Sequence, residues 1–573
     1  MYAEIDQIAE YHDSPNDVLY SHQWSLNNTG QEHYHVKSVY GNNNDELILT
    51  SGTPDADIDA NEVFQNQPDK TATAVVAIID TGVDLDHPDL AGNIWVNPGE
   101  IANDGFDNDF NGFIDDINGW NFGGSLINIG VGNNDPTDNY GHGTHCAGIV
   151  AAIADNSIGI AGVAPDCKIM ALNIDPLPFV SIIARAIIYA ADNGADVISM
   201  SFGLYTQSDL VSDALAYANS KGVVLCASSG NDGTEQYNYP ATNDLVIAVG
   251  ATDDKDHVTS FSTYGSHLDF CAPGQTILSL RADNTDMYAS NREGGVHIID
   301  DLYFLASGTS MSAPHVAGAA AYLRSISPGL KPEKVREILQ QTSDDLIDPY
   351  GAGWNLPGFD IYSGFGRLNL NTAIQSTPDK IALIESPVQF GIVSGIVDIS
   401  GIANGSEFPG YIIEYGAGKE PDSWQKLIFS SSQITGGTLY NWNTEGLTGV
   451  YTIRLRVGFD NIAYRTVYIA NESMVEILYP SLGESLTGIT SVLANVYGPE
   501  FKGYRLEYRK QETENGWELI NSFSVPAFNN IVGEWSTGEL TEGTYVLRLT
   551  MLSNDDTDIF DEIEVSEIGR AHV

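Results

Sequence analysis

The chain is poor in cysteine and in basic residues, and it contains no long apolar run. Only Cys146, Cys167, Cys226 and Cys271 occur in 573 residues. None has C-x-x-C spacing, which excludes the common zinc and dithiol redox sites. Each stands in an apolar or small-residue segment, so the expectation is buried thiols acting as small hydrophobes. One disulfide is the alternative that an even count leaves open if the protein is exported. Lysine and arginine number 25 against 77 acidic residues, a formal net charge of -52. Like charge repels, which argues against nucleic acid or an anionic membrane as partner. No stretch approaches the roughly 20 apolar residues of a membrane span. The start, Met1-Tyr-Ala-Glu-Ile-Asp-Gln-Ile-Ala-Glu-Tyr11, lacks the basic head and apolar core of a signal peptide.

What the chain does have is a serine in an unusual setting. In Ala306-Ser-Gly-Thr-Ser310-Met-Ser-Ala-Pro314-His-Val-Ala-Gly318, small residues flank Ser310 and an apolar helical run follows. Such a run is expected to hold Pro314 without a break only in its first turn. A hydroxyl there is open to substrate and near the positive end of the helix dipole, as a nucleophile requires. A plain Ser N-cap fits equally well when the segment is read alone. Two upstream segments decide between these readings. Val75-Val-Ala-Ile-Ile-Asp80-Thr-Gly reads as a buried parallel strand with Asp80 at its carboxyl end, where open α/β sheets bind ligands. Asn139-Tyr-Gly-His142-Gly-Thr-His145-Cys-Ala-Gly148 reads as a small-residue helix opened by His142. Acyl transfer by a serine needs a base for its proton and a carboxylate to fix the base's tautomer, so each role has a candidate.

From about Asn16 to Leu370 the chain resembles the subtilisin-like serine endopeptidases, whose motifs come in the same order of Asp, His, Ser. The resemblance implies an α/β fold, a parallel sheet with helices on both faces. It implies hydrolysis of peptide bonds through an acyl-enzyme on Ser310, with His142 as general base and then acid, oriented by Asp80. His145, one turn on, is expected to be structural. In Gly222-Val-Val-Leu-Cys-Ala-Ser-Ser-Gly230-Asn231, Asn231 would donate to the oxyanion together with the Ser310 N–H; an ordinary Asn turn is the plain alternative. Ser201, Phe202 and Gly203 would leave an edge open for an extended peptide, opposite a short Leu177-Pro-Phe179 segment. Ala227, Ser228, Ser229 and Gly230 would wall the primary pocket, with Asn238 near its base. No acidic residue is placed there for a basic side chain, so apolar residues are expected before the scissile bond. Ser312 stands where the family usually has Ala. The family also implies extracellular location, polypeptide substrates, an inhibitory propeptide and a monomer. The competing reading is a noncatalytic surface or adhesion protein that keeps the fold as a scaffold.

Part of the acidic excess is patterned for calcium. The run from Asn103 to Asp116 contains D-x-D-x-N-G-x-I-D, most of an EF-hand-type loop. Asp107, Asp109 and Asn111 would give side-chain oxygens and Phe113 its carbonyl. Asn118 replaces the closing Glu, which leaves Asp115 or Asp116 to compensate; a solvated Asx-rich turn is the alternative. A second calcium site follows from the resemblance, at Asp17, Asp89, Asn156 and the carbonyls of Ala154, Ile158 and Ile160. Asn133 to Asp138 is a weaker third candidate.

Beyond about Ile374 the pattern changes to alternating apolar and polar runs broken by Gly, Asn and Ser, the mark of antiparallel sheet. Phe408, Gly410, Tyr411, Glu414, Tyr415, Trp424 and Trp442 recur as Phe501, Gly503, Tyr504, Glu507, Tyr508, Trp517 and Trp535. Gly449, Tyr451, Arg454 and Leu455 recur as Gly543, Tyr545, Arg548 and Leu549, after one inserted residue. Two β-sandwiches of immunoglobulin or fibronectin type III kind are expected, as a spacer or as a binder of cell surface or carbohydrate. The organisation expected is a propeptide remnant at 1–14, a catalytic domain at 15–376, and sandwich repeats at 380–471 and 472–566. Residues 567–573 break the strand pattern, and the last of them match the translation of a sequencing-adapter sequence, so a non-native tail is expected. Processing is expected between Glu10 and Ser14. The Asp-rich segment Ser279 to Asp301, just before the nucleophile motif, is a candidate to shape or cover the cleft.

Overall fold

The computed structural model describes residues 14–568 apart from 38–44, 67, 69, 110, 125–129, 131, 289–295, 347–357, 379, 407, 460, 487, 513–515, 524–525, 538–539, 542 and 555–556. The expected processing segment, except Ser14, and the last residues of the expected tail lie outside them. Contacts divide the chain into two units. The first comprises Met1–Asn97, Asn118–Ile381 and Phe459–Ile462, and the second Pro98–Ile117, Ala382–Gly458 and Ala463–Val573. The acidic loop at 98–117 therefore clusters with the second unit, although its sequence interrupts the first.

In the first unit a hairpin of β1 (Glu32–Lys37) and β2 (Glu46–Ser51) and a short helix α1 (Ala60–Asn66) precede the central sheet. The sheet is built from β3 (Val75–Asp80), β4 (Gly119–Asn121), β5 (Lys168–Asn173), β6 (Val197–Met200), β7 (Val224–Ser228), β8 (Val246–Thr252) and β9 (Phe270–Pro273). Their order is β4-β5-β3-β6-β7-β8-β9 and every pairing is parallel. Helices α2 (His142–Ala151), α3 (Val180–Asp192), α4 (Asp209–Ser220) and α5 (Thr309–Ile326) cover it. Side chains alternate across a strand, so both faces must be apolar. Val76 and Ile78 pack in one core with Val150 of α2 and Val316 of α5, while Ala77 and Ile79, buried as well, point to the opposite face. This is the doubly covered parallel sheet that the sequence implied. Chain order reverses at β3, which has β5 on one side and β6 on the other, so Asp80 ends the strand at the sheet's switch point.

A small antiparallel sheet of β10 (Ile277–Leu280), β11 (Ile298–Ile299) and β12 (Tyr303–Ala306) leads into α5, followed by α6 (Pro332–Thr342) and α7 (Leu370–Gln375). Among the described residues no helix is long and apolar enough to cross a membrane.

The second unit is all β after the acidic loop. Strands β13 (Ile381–Ser386), β15 (Ile396–Asn404) and β18 (Thr438–Asn443) form one sheet. Strands β14 (Ile392–Val393), β16 (Tyr411–Ala417), β17 (Gln425–Ser430), β19 (Thr448–Val457) and β20 (Asn461–Ala470) form another, in the order β14-β20-β19-β16-β17. The plan then repeats. Strands β21 (Met474–Tyr479), β23 (Ile489–Tyr497) and β26 (Ala527–Ser536) match the first sheet. The order β22-β28-β27-β24-β25 matches the second, with β22 (Ser485–Leu486), β24 (Phe501–Lys510), β25 (Glu518–Phe523), β27 (Tyr545–Ser553) and β28 (Ile559–Ile568). The recurring aromatics are the reason. Tyr415 lies 5.0 Å from Trp442 at 43°, and Tyr508 lies 5.1 Å from Trp535 at 43°. Arg454 covers Trp424 at 4.0 Å as Arg548 covers Trp517 at 3.9 Å. Glu567 and Ile568, assigned from sequence to the tail, continue β28.

Candidate active site

Asp80 and His142 meet between β3 and α2. His142 Nδ1 is 2.7 Å from Asp80 Oδ1, and their side chains are 20% and 4% exposed. Burial by itself would lower the His142 pKa, but the Asp80 carboxylate, with a contribution from Cys146, holds it well above 6.5. The helix that carries His142 starts from Gly141 at φ 107°, and its first amides need partners. Asp138 supplies them. Its carboxylate accepts from the amides of Tyr140, Gly141 and Thr144 and from the Thr144 hydroxyl. It also accepts from the Thr81 hydroxyl at 2.9 Å, and Thr81 Oγ1 in turn accepts from the Gly143 amide. One buried carboxylate thus ties the base's helix to the residue after Asp80. In the third calcium candidate, Asn133 to Asp138, Asp138 accepts at the helix start and Asp135 closes its own turn on Thr137. The Asp138-x-x-Gly141-His142-Gly-Thr144 spacing carried this capping signal.

His145 is buried, with Nε2 3.2 Å from the Ile277 carbonyl and 3.0 Å from that of Phe304. Burial lowers its pKa to about 3, so it is a neutral structural residue. All four cysteines are buried free thiols.

Ser310 is the second residue of α5, and Pro314 lies inside that helix, past the first turn. The sequence expectation that Pro314 requires the first turn is therefore corrected, and the hydrogen bonds show why the helix tolerates it. A helical N–H at 314 would bond the carbonyl at 310, and proline has none. The Ser310 carbonyl is instead satisfied by the Ser201 hydroxyl at 2.8 Å and the Cys146 thiol at 3.5 Å. The Ser310 hydroxyl donates to the Ser201 carbonyl at 3.2 Å. Ser310 and Ser201, the residue after β6, thus hold each other reciprocally. Catalytic hydrogen bonds commonly tighten only when substrate arrives, so this ground-state partner leaves transfer to His142 open.

Asn231 is fixed through its oxygen. Asn231 Oδ1 accepts from the Thr309 amide at 2.9 Å and the Thr309 hydroxyl at 3.1 Å, which leaves its amide nitrogen as donor. A β-carbon added to Gly308 would stand 3.3 Å from Asn231 Nδ2 and 3.7 Å from the Ser310 nitrogen. Asn231 Nδ2 and the Ser310 nitrogen thus border the same space beside Gly308, with Asn231 Oδ1 at 3.6 Å from it as well; an oxyanion there would need the two nitrogens as its donors. Thr309, which the sequence reading did not single out, sets this geometry and also accepts from the Gly230 amide at 3.1 Å.

Beside these groups run two edges. Phe202 and Gly203 follow β6, after which Leu204 pairs with Tyr239. Ala227 and Ser228 end β7, and Ser229 bonds on to Val249. Asn238 lies between the edges: its Nδ2 donates to the Ser228 carbonyl at 3.0 Å, and a Gly203 β-carbon would lie 1.8 Å from its Oδ1. Leu177 and Phe179 are 40% and 54% exposed.

Asp17 and Asp89 are buried against the 154–160 loop, where Asp17 accepts from the amides of Asp155 and Asn156. Asp89 accepts from the Ile160 amide, the Asn156 side chain and the Tyr303 hydroxyl. Burial, together with the nearby Asp17 charge, raises Asp89 to about 6. Buried carboxylates that repel each other and have no ion pair among the described residues fit a hard cation. The Asn156 oxygen faces the Ile158 amide at 2.6 Å, so its amide must turn over to ligate.

In the acidic loop Glu100, Asp109 and Asp116 bring a carboxylate oxygen each within 4.8 Å of one another. Glu100 was not foreseen; it lies outside the loop motif and accepts from the amides of Asn108, Asp109 and Asp115. Asp116 accepts from Asn111, Asp107 accepts from the amides of Asn111 and Gly112, and the Phe113 amide donates to Asn111. Asp115 turns away to the amides of Asp104 and Gly105, so of the two compensating acids the cluster contains Asp116. Burial, then the Asp109 charge, pushes Asp107 up to about 8, and burial raises Glu100 to about 7. This donor set also fits calcium.

The profile of the Subtilase family (peptidase S8) matches residues 71–366. Thermitase of Thermoactinomyces vulgaris is 37% identical over 306 residues, 53% of this chain and 88% of the relative. A thermophilic serine proteinase of Bacillus sp. (strain AK1) is 37% identical over 302 residues, 52% of this chain and 61% of the relative. The cell wall-associated protease of Bacillus subtilis (strain 168) is 31% identical over 392 residues, 65% of this chain and 37% of the relative.

Proposed function

Because the chain belongs to the subtilase family and is a serine endopeptidase, we propose that it cleaves polypeptides through an acyl-enzyme on Ser310. The observation that carries this reading is the Asp80–His142 pair at 2.7 Å, linked to the Ser310 peptide through the Cys146 thiol, which lies 4.0 Å from His142 Nδ1 and 3.5 Å from the Ser310 carbonyl. His142, held in one tautomer by Asp80, takes the Ser310 proton as the hydroxyl attacks the carbonyl carbon. The oxyanion is received by Asn231 Nδ2 and the Ser310 N–H. His142 then gives its proton to the leaving amine, and a water repeats the sequence to release the acid.

Phe202–Gly203 and Ala227–Gly230 hold the substrate before the scissile bond, with apolar residues preferred beside Asn238. Calcium would be held by Asp17, Asp89, Asn156 and the carbonyls of Ala154, Ile158 and Ile160, and by Glu100, Asp107, Asp109, Asn111, Asp116 and the Phe113 carbonyl. The bound ion supplies a charge that lets these carboxylates ionise in place. The protein acts outside the cell after loss of an inhibitory propeptide, and its β repeats, of immunoglobulin or fibronectin type III kind, serve as a spacer.

Labelling with a fluorophosphonate tests the central claim. Wild type is expected to label and to cut casein, and Ser310→Ala to do neither, with turnover reduced about a millionfold. An unlabelled wild type that leaves casein intact defeats it. A peptide-library profile dominated by Arg or Lys before the cut would defeat the apolar preference.

A further inference from the structure

Residues 281–288 link the start of the base helix to the approach of the nucleophile helix. At one end the Tyr140 hydroxyl donates to the Met287 carbonyl at 3.1 Å. Thr285 Oγ1 would lie 2.6 Å from a β-carbon at Gly141, so the segment presses on the residue before His142. At the other end Tyr288 reaches Ser307, an exposed residue directly after β12. The Ser307 N–H donates to the phenol oxygen at 3.2 Å, and the phenol donates to the Ser307 carbonyl at 3.5 Å. The Ser307 side chain is used elsewhere, accepting from the Thr276 amide at 2.8 Å. The Tyr288 ring is braced edge-on by His297 at 4.8 Å and at a tilt by Phe304 at 5.5 Å.

An N–H and a C=O offered together by one residue are what a strand presents to a partner strand. Here a single hydroxyl occupies both. The leaving amine must be protonated by His142, so the leaving half of a substrate runs on the His142 side of Ser310, away from Ser201–Gly203. That is where residues 285–288 stand, against Tyr140, Gly141 and Ser307.

We propose that Tyr288 determines specificity for the polypeptide residues after the scissile bond. Its hydroxyl holds the Ser307 main chain in the free enzyme, and a substrate residue on the leaving side displaces it by main-chain pairing, with the braced ring as a flanking wall. The proposal rests on the acyl-enzyme reading given above.

The test compares kcat/KM for an internally quenched peptide extended beyond the bond with that for a p-nitroanilide sharing its acyl half. The wild type, Tyr288→Phe and Tyr288→Ala are each measured. Tyr288→Phe keeps the ring and removes the competing hydroxyl, so the ratio of extended peptide to anilide is expected to rise about three- to tenfold. Tyr288→Ala also removes the wall, and selectivity among residues after the bond is expected to flatten. A ratio unchanged in Tyr288→Phe overturns the proposal, as does an equal fall on both substrates, which would make the hydroxyl a prop for the nucleophile loop. Failure of the wild type on both substrates would overturn the underlying reading as well.

Discussion

Burial alone would lower the pKa of His142, but Asp80, with a contribution from Cys146, sets it well above 6.5. A general base works only when neutral, so kcat/KM is expected to climb with pH through a value above 6.5. Asp80→Asn removes the charge that raises this pKa, so the acidic limb should move to lower pH. The same change loses control of the tautomer, and kcat should fall about ten-thousandfold. A pH–rate profile of both proteins checks the two effects together; an unmoved limb would show that Asp80 does not set the base. Asn231 supports a separate expectation. Thr309 fixes its oxygen, so Asn231→Ala should lower kcat about 100- to 1000-fold with little change in KM, because the lost donor serves only the oxyanion. A change confined to KM would assign Asn231 to substrate binding instead.

At the scale of elements, the proposed chemistry rests on two helix starts and one strand end, and each start is held by a group outside its helix. Asp138 satisfies the α2 amides and ties them to Thr81. Asp138→Ala is expected to cost about 2 kcal/mol or more of stability and to blunt activity through His142, read as a lower Tm and a lower kcat. A variant with lower Tm and unchanged kcat would make Asp138 a cap without influence on the base. The places of Asp80 at a strand end and of His142 and Ser310 at helix starts were legible in sequence because a five-residue apolar run and two small-residue helices mark where a strand ends and helices begin. Pro314 misled because its rule concerns the helix's own bonds, whereas Ser201 and Cys146, distant in sequence, satisfy the freed carbonyl. Glu100 escaped notice because it lies before the loop motif, and Tyr288 because its partner is set by how β12 and α2 pack. The β repeats were legible because aromatic pairs recur at fixed spacing and rebuild the same contacts.

At the scale of the whole molecule, 77 acidic against 25 basic residues leave a formal charge of -52, and some of the acids are buried together. Burial first, and neighbouring carboxylates after it, raise Asp89 to about 6, Glu100 to about 7 and Asp107 to about 8, against ordinary values of 3.8 for Asp and 4.5 for Glu. The metal-free folded state therefore holds protons that the unfolded chain has already released. The sign follows from linkage: these groups favour folding fully below their ordinary values, and that contribution is lost as pH rises through 6 to 8. A bound cation replaces the protons, so the loss should vanish when calcium is present. In the Ser310→Ala protein, which cannot digest itself, the Tm gap between calcium and chelator is expected to widen from about pH 5 to about pH 8. Asp17→Asn should reduce the part of that gap owed to Asp89, and Asp109→Asn the part owed to Glu100 and Asp107. A gap that stays flat or narrows as pH rises would mean that these carboxylates are not linked to calcium, and that their burial is relieved by protonation alone.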